Sequence, residues 1–511
     1  MENANNIANE QAREDVITVI NGDQQNTTEV SEEFSLPDYV PEVRRVLTVR
    51  AQVLPESKYL SDSSLEFGGT VTYSVIYTDD MGNLCALPLS SSYESKMMVS
   101  SDTDDTSIVT SVESCGVRVM GPRKLTAKSK LKNRVITRAK AEIGEKITPK
   151  SSADELYIER KTESINTLSV KNYALQNIRI SEKLDGAGNE DSKPIWCDAT
   201  VSLTDVKSQS GLVNVRGEIN VKCLCVGEGT EVVLTKTIPL SEMVEAEESQ
   251  SGDMVKGDAR IVSLAISNEE KNEKNELFLD MNLEIECEVA RNGESMITKD
   301  AYSTKYEANS TYKSLDYYTA IKEGNGSFTV SEGIKRKDKD LCEIITIIAD
   351  PVYEKSEIKG TKVNHVGKLL LTILGKGAPN ETGKTEFICQ SYEMPIKYET
   401  EVGKISKGAI SGCVFSPGNM TARLDEDNLL VNGEIFTSYF VCDKNTTQLL
   451  DTCTLKKDSE IKRDNASVRV CFPKENETLW DVAKKYKISL NKLKEQNDID
   501  EDVLNKKCLI I

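Results

Sequence analysis

Leu371–Thr385 reads LTILGKGAPNETGKT, an apolar run that meets a glycine-rich turn and ends in Gly-Lys-Thr. Two folds compete for this stretch. In a phosphate-binding loop a helix follows the turn, and its free backbone amides face the phosphate. In a hairpin a second strand follows, and the sheet is antiparallel. A phosphate loop has four residues between its first glycine and Gly-Lys-Ser/Thr, whereas Ala378 to Thr382 place five between Gly377 and Gly383. The continuation, TEFICQSYEMP, has strand character and soon reaches Pro395, and Glu381 would bring negative charge towards a phosphate. The stretch therefore reads as a β-hairpin loop.

The same pattern recurs twice upstream. Ala51–Gly69, Ala199–Gly217 and Ala349–Gly367 each span an alanine and a glycine 18 residues apart, and the starts are separated by 148 and then 150 residues. A strand follows each glycine: TVTYSVIY, EINVKCLCV and KLLLTILG. Val71, Tyr73 and Val75, then Ile219, Val221 and Cys223, then Leu369, Leu371 and Ile373 recur with period two, so one face of each strand should be buried. A turn and a second extended segment come next, and another pair of β-rich segments closes each unit. Neither sister unit carries Gly-Lys-Thr at the turn. IITIIAD, ending at Asp350, looks like the acidic strand of an ATPase, but its counterpart Leu47–Ala51 ends without an acid.

The fold expected is mainly β: three repeated antiparallel β domains plus a small strand-helix-helix-strand module. The boundaries expected are a disordered polar tail over 1–30, repeats over 31–148, 173–310 and 341–460, linkers over 149–172 and 311–340, and the final module over 465–511. At 511 residues the chain is too long for one core, and about 150 residues per domain suggests about three or four.

Composition narrows the function. The formal charge of −19 disfavours nonspecific contact with nucleic acid or anionic membrane. No signal-peptide pattern opens the chain and no 18-residue apolar stretch occurs, so no membrane insertion is expected. Thirteen cysteines without a Cys-x-x-Cys pair read as reduced thiols of a cytoplasmic protein. The single histidine, His365, leaves no imidazole pair for a metal and no evident base for a nucleophile, so it reads as structural. Asp425 and Asp427, in ARLDEDNLL, read as a solvated turn between strands. No catalytic residue, cofactor or metal site is expected.

The last segment, VRVCFPKENETLWDVAKKYKISLNKLKEQNDIDEDVLNKKCLII, reads strand, helix, helix, strand. Val468 and Val470 alternate in the first strand. Thr478 can cap the first helix, with Leu479, Val482, Ala483 and Tyr486 on its inner face. Ser489 can cap the second, with Leu490, Leu493 and Asn497 inside, and Leu504, Leu509 and Ile511 return to the sheet. ETLWDVAKKYKISLNKLKEQN resembles the LysM family, whose members commonly bind peptidoglycan or chitin. Asn476-Glu477 stands in place of the family's Gly-Asp, and Asn505-Lys506-Lys507 in place of its Pro-Gly-Gln, which alters the loops of the sugar groove and makes peptidoglycan a disfavoured ligand.

EEFSLPDYVPEVRRVLTVRAQV, GGTVTYSVIYTDDMGNLCAL and GPRKLTAKSKL are similar to the DUF3794 repeats of clostridial spore-coat assembly proteins, a family that pairs such repeats with a C-terminal LysM domain. The resemblance implies a non-enzymatic scaffold in the mother-cell cytoplasm, at the forespore surface. Its LysM domain would bind stage IV sporulation protein A, the coat-basement ATPase, and other coat proteins or further copies of the chain would be additional partners. The partner-binding residues expected in this module are Trp480, Lys484, Tyr486, Ile488 and Asn497, and Trp480 reads first as a packing residue with a partner contact as the alternative. A peptidoglycan binder of the cell or spore wall is the alternative.

Overall fold

Strand alternation organises the chain into three copies of one six-strand unit. The computed structural model describes residues 16–148, 155–184, 193–227, 230–271, 274–337, 340–379, 385–462, 469–474, 477–499 and 508–511. The first unit holds β1 (Val16–Ser35), β2 (Arg45–Ser61), β3 (Ser64–Thr78), β4 (Leu84–Met98), β5 (Thr103–Gly121) and β6 (Lys124–Glu142), followed by the short β7 (Lys146–Thr148). They form two antiparallel sheets in the orders β1-β6-β5 and β2-β3-β4. The second unit repeats this with β8 (Ile158–Leu184), β9 (Lys193–Gln209), β10 (Leu212–Gly227), β11 (Thr230–Glu245), β12 (Met254–Lys271) and β13 (Lys274–Ser303), paired as β8-β13-β12 and β9-β10-β11. The third has β14 (Tyr306–Lys335), β15 (Leu341–Lys359), β16 (Lys362–Gly377), β17 (Phe387–Glu401), β18 (Ile410–Pro417), β19 (Thr421–Asp425) and β20 (Asn428–Glu460), paired as β14-β20-β18 and β15-β16-β17, with β19 also on β20.

The period-two positions are the centre of each sandwich. Val71, Tyr73 and Val75, Ile219, Val221 and Cys223, and Leu369, Leu371 and Ile373 are all buried, each set in its own unit's core. Each fully buried aliphatic side chain contributes about 1.5–3 kcal/mol.

β16 leads into β17 as a hairpin, with Lys376 opposite Phe387. Among the described residues the turn is followed by β17 and not by the helix a phosphate loop requires; Glu381 and Lys384 lie outside the described residues. Asp425 and Asp427 flank a tight turn between β19 and β20, at whose apex Glu426 takes φ +45°.

The recurring glycine marks a bulge. Gly69, Gly217 and Gly367 lie opposite Pro55, Leu203 and Tyr353, and each pairing register shifts at that place. A Cβ on Gly217 would stand 2.3 Å from the Ser202 carbonyl oxygen, and one on Gly367 2.4 Å from that of Val352. A side chain there would force the bulged strand away.

Three expected boundaries are corrected. β1 occupies much of the expected tail, β8 runs through the expected 149–172 linker from Ile158 onward, and β14 covers nearly all of the 311–340 linker. Each is the first strand of its unit. All three are polar along most of their length, yet they pair by backbone hydrogen bonds with β6, β13 and β20. Backbone pairing does not require an apolar side chain at every second position.

The units close into a ring. β4 meets β9, β11 meets β15, and β17 returns to β2, so the fourth strand of each unit touches the second strand of the next. This is a head-to-tail contact repeated until it closes, a pseudo-threefold arrangement within one chain. Equivalent residues meet on the axis: Ile76, Leu224 and Leu374 share one buried cluster, and Ile17, Ile165 and Leu315 another. β7 crosses from the first unit to pair in parallel with Thr452–Thr454 of the third.

The final module has β21 (Val470–Cys471), α1 (Leu479–Tyr486), α2 (Leu490–Asn497) and β22 (Leu509–Ile510), with β21 antiparallel to β22. Thr478 caps α1 in a reciprocal box with Asp481. Ser489 occupies the cap position of α2, but its side chain makes no cap hydrogen bond, which corrects the capping role expected for it. Val468 and Leu504 lie outside the described residues.

Candidate functional site

The helical module does not hang free. Its α1 face rests on the second and third units of the ring. Leu479, Val482, Ala483, Leu493 and Leu509 form its core, and Tyr302 of β13 joins that cluster, 1% exposed. The Tyr302 ring meets Trp480 edge-on at 5.0 Å, and its hydroxyl donates to the Ile488 carbonyl at 2.7 Å.

Asp300 is the polar centre of this contact. Its carboxylate accepts from Trp480 Nε1 at 2.8 Å, from Lys484 Nζ at 2.7 Å on both oxygens, and from the Tyr312 hydroxyl at 2.7 Å. Burial opposes both charges, yet the pairing prevails: Lys484 is held above the usual ammonium value and Asp300 below the usual carboxylate value. Asp300 sits at a register shift on β13, between Thr298 and Asp300, where a bulge can re-aim a side chain.

The five expected partner-binding residues separate by environment. Trp480 is 6% exposed and turned into the ring together with Lys484. Tyr486 and Ile488 are partly buried against the module's core, and Ile488 offers its carbonyl to Tyr302. Asn497 is a framework residue. It is 6% exposed, donates to the carbonyls of Leu493 (2.9 Å) and Ile510 (2.7 Å), and accepts from the Ile510 amide (2.7 Å), tying α2 to β22. Asp300, Tyr302 and Tyr312 were not legible as site residues, because nothing in SMITKDAYS or STYKS distinguishes them from ordinary strand residues.

A cavity of about 330 Å³ lies on the ring axis, lined by strands of all three units. At its base Arg50 bonds Asp198 through Nη1 and Asp350 through Nε, the latter at 2.7 Å. Arg50 and Asp198 precede the repeat alanines Ala51 and Ala199, and Asp350 follows Ala349. The other charges at the wall are also paired: Arg260 with Glu284 and Glu286 at 2.8 Å, and Glu113 with Lys130 at 2.8 Å. Arg50 joins all three units and the other two pairs lie within one unit each, an arrangement that suits a structural junction better than a ligand site.

His365 is fully buried. Its Nδ1 lies 2.8 Å from Ser356 Oγ, and its ring packs on Tyr398 and Tyr439. Burial, with a smaller effect from Arg134, pushes its pKa down to about 4. The thirteen cysteines are free thiols, with Cys223 and Cys225 sulfurs 3.8 Å apart. Among the described residues no group of three His, Cys, Asp or Glu is placed to hold a metal ion, and no helix is long and apolar enough to cross a membrane.

Two family models match the chain. The SipL, SPOCS domain matches residues 193–267, which are β9 to β12 of the second unit, and the LysM domain matches residues 474–505. No curated protein and no solved structure matches it. The pair of domains matches a SipL-type protein with a C-terminal LysM domain, and fits a sporulation-related LysM protein. Both families are non-catalytic binding or scaffold domains.

Proposed function

We propose that this chain is a non-enzymatic spore-morphogenesis scaffold. Its LysM domain binds stage IV sporulation protein A, the coat-basement ATPase, and thereby helps localise the coat around the forespore in the mother cell. The observation that carries this reading is the pairing of a SPOCS unit with a LysM module on one ring. Arg50 of the first unit pairs with Asp198 of the second and Asp350 of the third, which ties the units of the ring together. The LysM module contributes α1 and α2. A polymerising partner would present many LysM-binding sites, and the raised effective concentration would strengthen attachment without new contacts.

The test is co-purification of the ATPase with the full chain and with Trp480→Ala. Large aromatic residues at interface centres commonly cost about 2 kcal/mol or more when truncated, so recovery should fall at least tenfold. Trp480→Ala also frees the module from the ring, so the deciding variant is a chain that lacks residues 465–511: unchanged recovery with its ring folded would overturn the reading. The LysM match itself favours a second reading, a peptidoglycan binder. Sedimentation of the full chain with purified peptidoglycan separates the two.

A further inference from the structure

We propose that Asp300, Tyr302 and Tyr312 form a docking site that keeps the LysM module on the ring with its Trp480–Lys484 face covered, and that a protein partner using this face must compete with the ring for it. The proposal rests on the proposed function, in which LysM grips another polypeptide.

The contact is specific to one unit. Ile143, Ile297 and Leu449 occupy equivalent places near the ends of β6, β13 and β20, and share one buried cluster with the first-strand residues Ile17, Ile165 and Leu315. Three residues beyond each comes Lys146, Asp300 or Thr452. The carboxylate therefore appears once in the three units. Lys146 would repel the Lys484 ammonium, and Thr452 carries no charge to attract it.

The donors converge as they do in a built site. Trp480 Nε1, Lys484 Nζ, the Tyr312 hydroxyl and the Ala301 amide all donate to Asp300. Tyr302 adds a ring contact and a hydrogen bond to the Ile488 carbonyl. Among the expected partner contacts, Trp480, Lys484 and Ile488 are thus already engaged by the chain itself. A partner cannot reach Trp480 at 6% exposure without displacing Tyr302. The cost of opening is limited, because the module keeps Leu479, Val482, Leu493 and Leu509 in a core of its own. Apparent affinity then scales with the undocked fraction.

The experiment compares the full chain with Asp300→Ala and with the milder Tyr302→Phe. Acrylamide quenching of tryptophan fluorescence reads docking. Trp196, bonded to Ser74 at 2.7 Å inside the ring, stays protected if the ring is folded, so any gain in quenching belongs to Trp480. Affinity for the proposed ATPase partner is measured on the same proteins. Removing a hydrogen-bonded carboxylate should shift the docking equilibrium about tenfold to a hundredfold. Both variants should be quenched more than the wild type, and Asp300→Ala should bind the partner about tenfold or more tightly. Equal quenching in all three proteins overturns the docking site. Greater quenching with unchanged or weaker binding overturns the competition. No binding by any of the proteins overturns the partner reading and the competition with it, while the quenching still decides the docking site.

Discussion

Replacing Arg50 by methionine should loosen the ring at its axis. Arg50 is 9% exposed, with Asp198 on one side and Asp350 on the other, at 18% and 39%. The three residues come from three different units, so this one guanidinium neutralises carboxylates that the fold brings together from far apart in sequence. Burial, and then repulsion from Asp350, raise the Asp198 pKa, against the pull of Arg50. Burial also lowers Lys222 to about 8, with Asp198 acting in the opposite direction. Without Arg50 the two carboxylates face each other with Lys222 as the nearest cation acting on Asp198. Removing one member of a buried pair costs about 3–5 kcal/mol. The exposure of Asp350 places this case towards the lower end. With a urea m-value of about 3 kcal/mol/M, the midpoint should fall by about 1 M. Trp196 is the reporter, because its indole crosses from the second unit to Ser74 of the first. Adding Asp350→Asn to the methionine variant should restore part of the loss, since Asp198 then faces Lys222 with no second carboxylate beside it. An unchanged Trp196 transition in Arg50→Met would refute the reasoning. A double variant as unstable as the single one would also refute it, by showing that the arginine acts through packing of its stem rather than its charge.

Two further perturbations test the fold. The pKa of buried His365 lies below its unfolded value, so the unfolded chain takes up the proton first. Its contribution is complete above about pH 6.5 and is lost as pH falls towards 4, amounting to about 3 kcal/mol. His365→Gln should flatten that part of the stability–pH profile relative to wild type, and parallel profiles would contradict it. Gly217→Val should cost about 1–3 kcal/mol, because the new Cβ meets the Ser202 carbonyl oxygen at 2.3 Å; a wild-type urea midpoint read at Trp196 would count against the bulge.

Local pattern made much of the architecture legible. Period-two burial in TVTYSVIY, EINVKCLCV and KLLLTILG depends on near neighbours, and so does the Thr478 cap of α1. The hairpin reading of LTILGKGAPNETGKT rested on glycine spacing and on the strand character of TEFICQSYEMP, both also local. The first strand of each unit escaped notice. In VITVINGDQQNTTEVSEEFS only Ile17 and Val30 are fully buried, and a strand held by backbone bonds along one edge leaves little side-chain signal.

From its residues alone the chain declared the alternating core strands and the capped first helix of the LysM module, because alternation and capping are short-range properties, but not the polar first strand of each unit. Tertiary structure alone decided that Arg50, Asp198 and Asp350 share one junction, that β17 returns to β2 to close the ring, and that Trp480 is covered by Tyr302. Those contacts join residues far apart along the chain. The energy of such a meeting depends on burial and on charges supplied by other units, and no window of neighbouring residues carries that information.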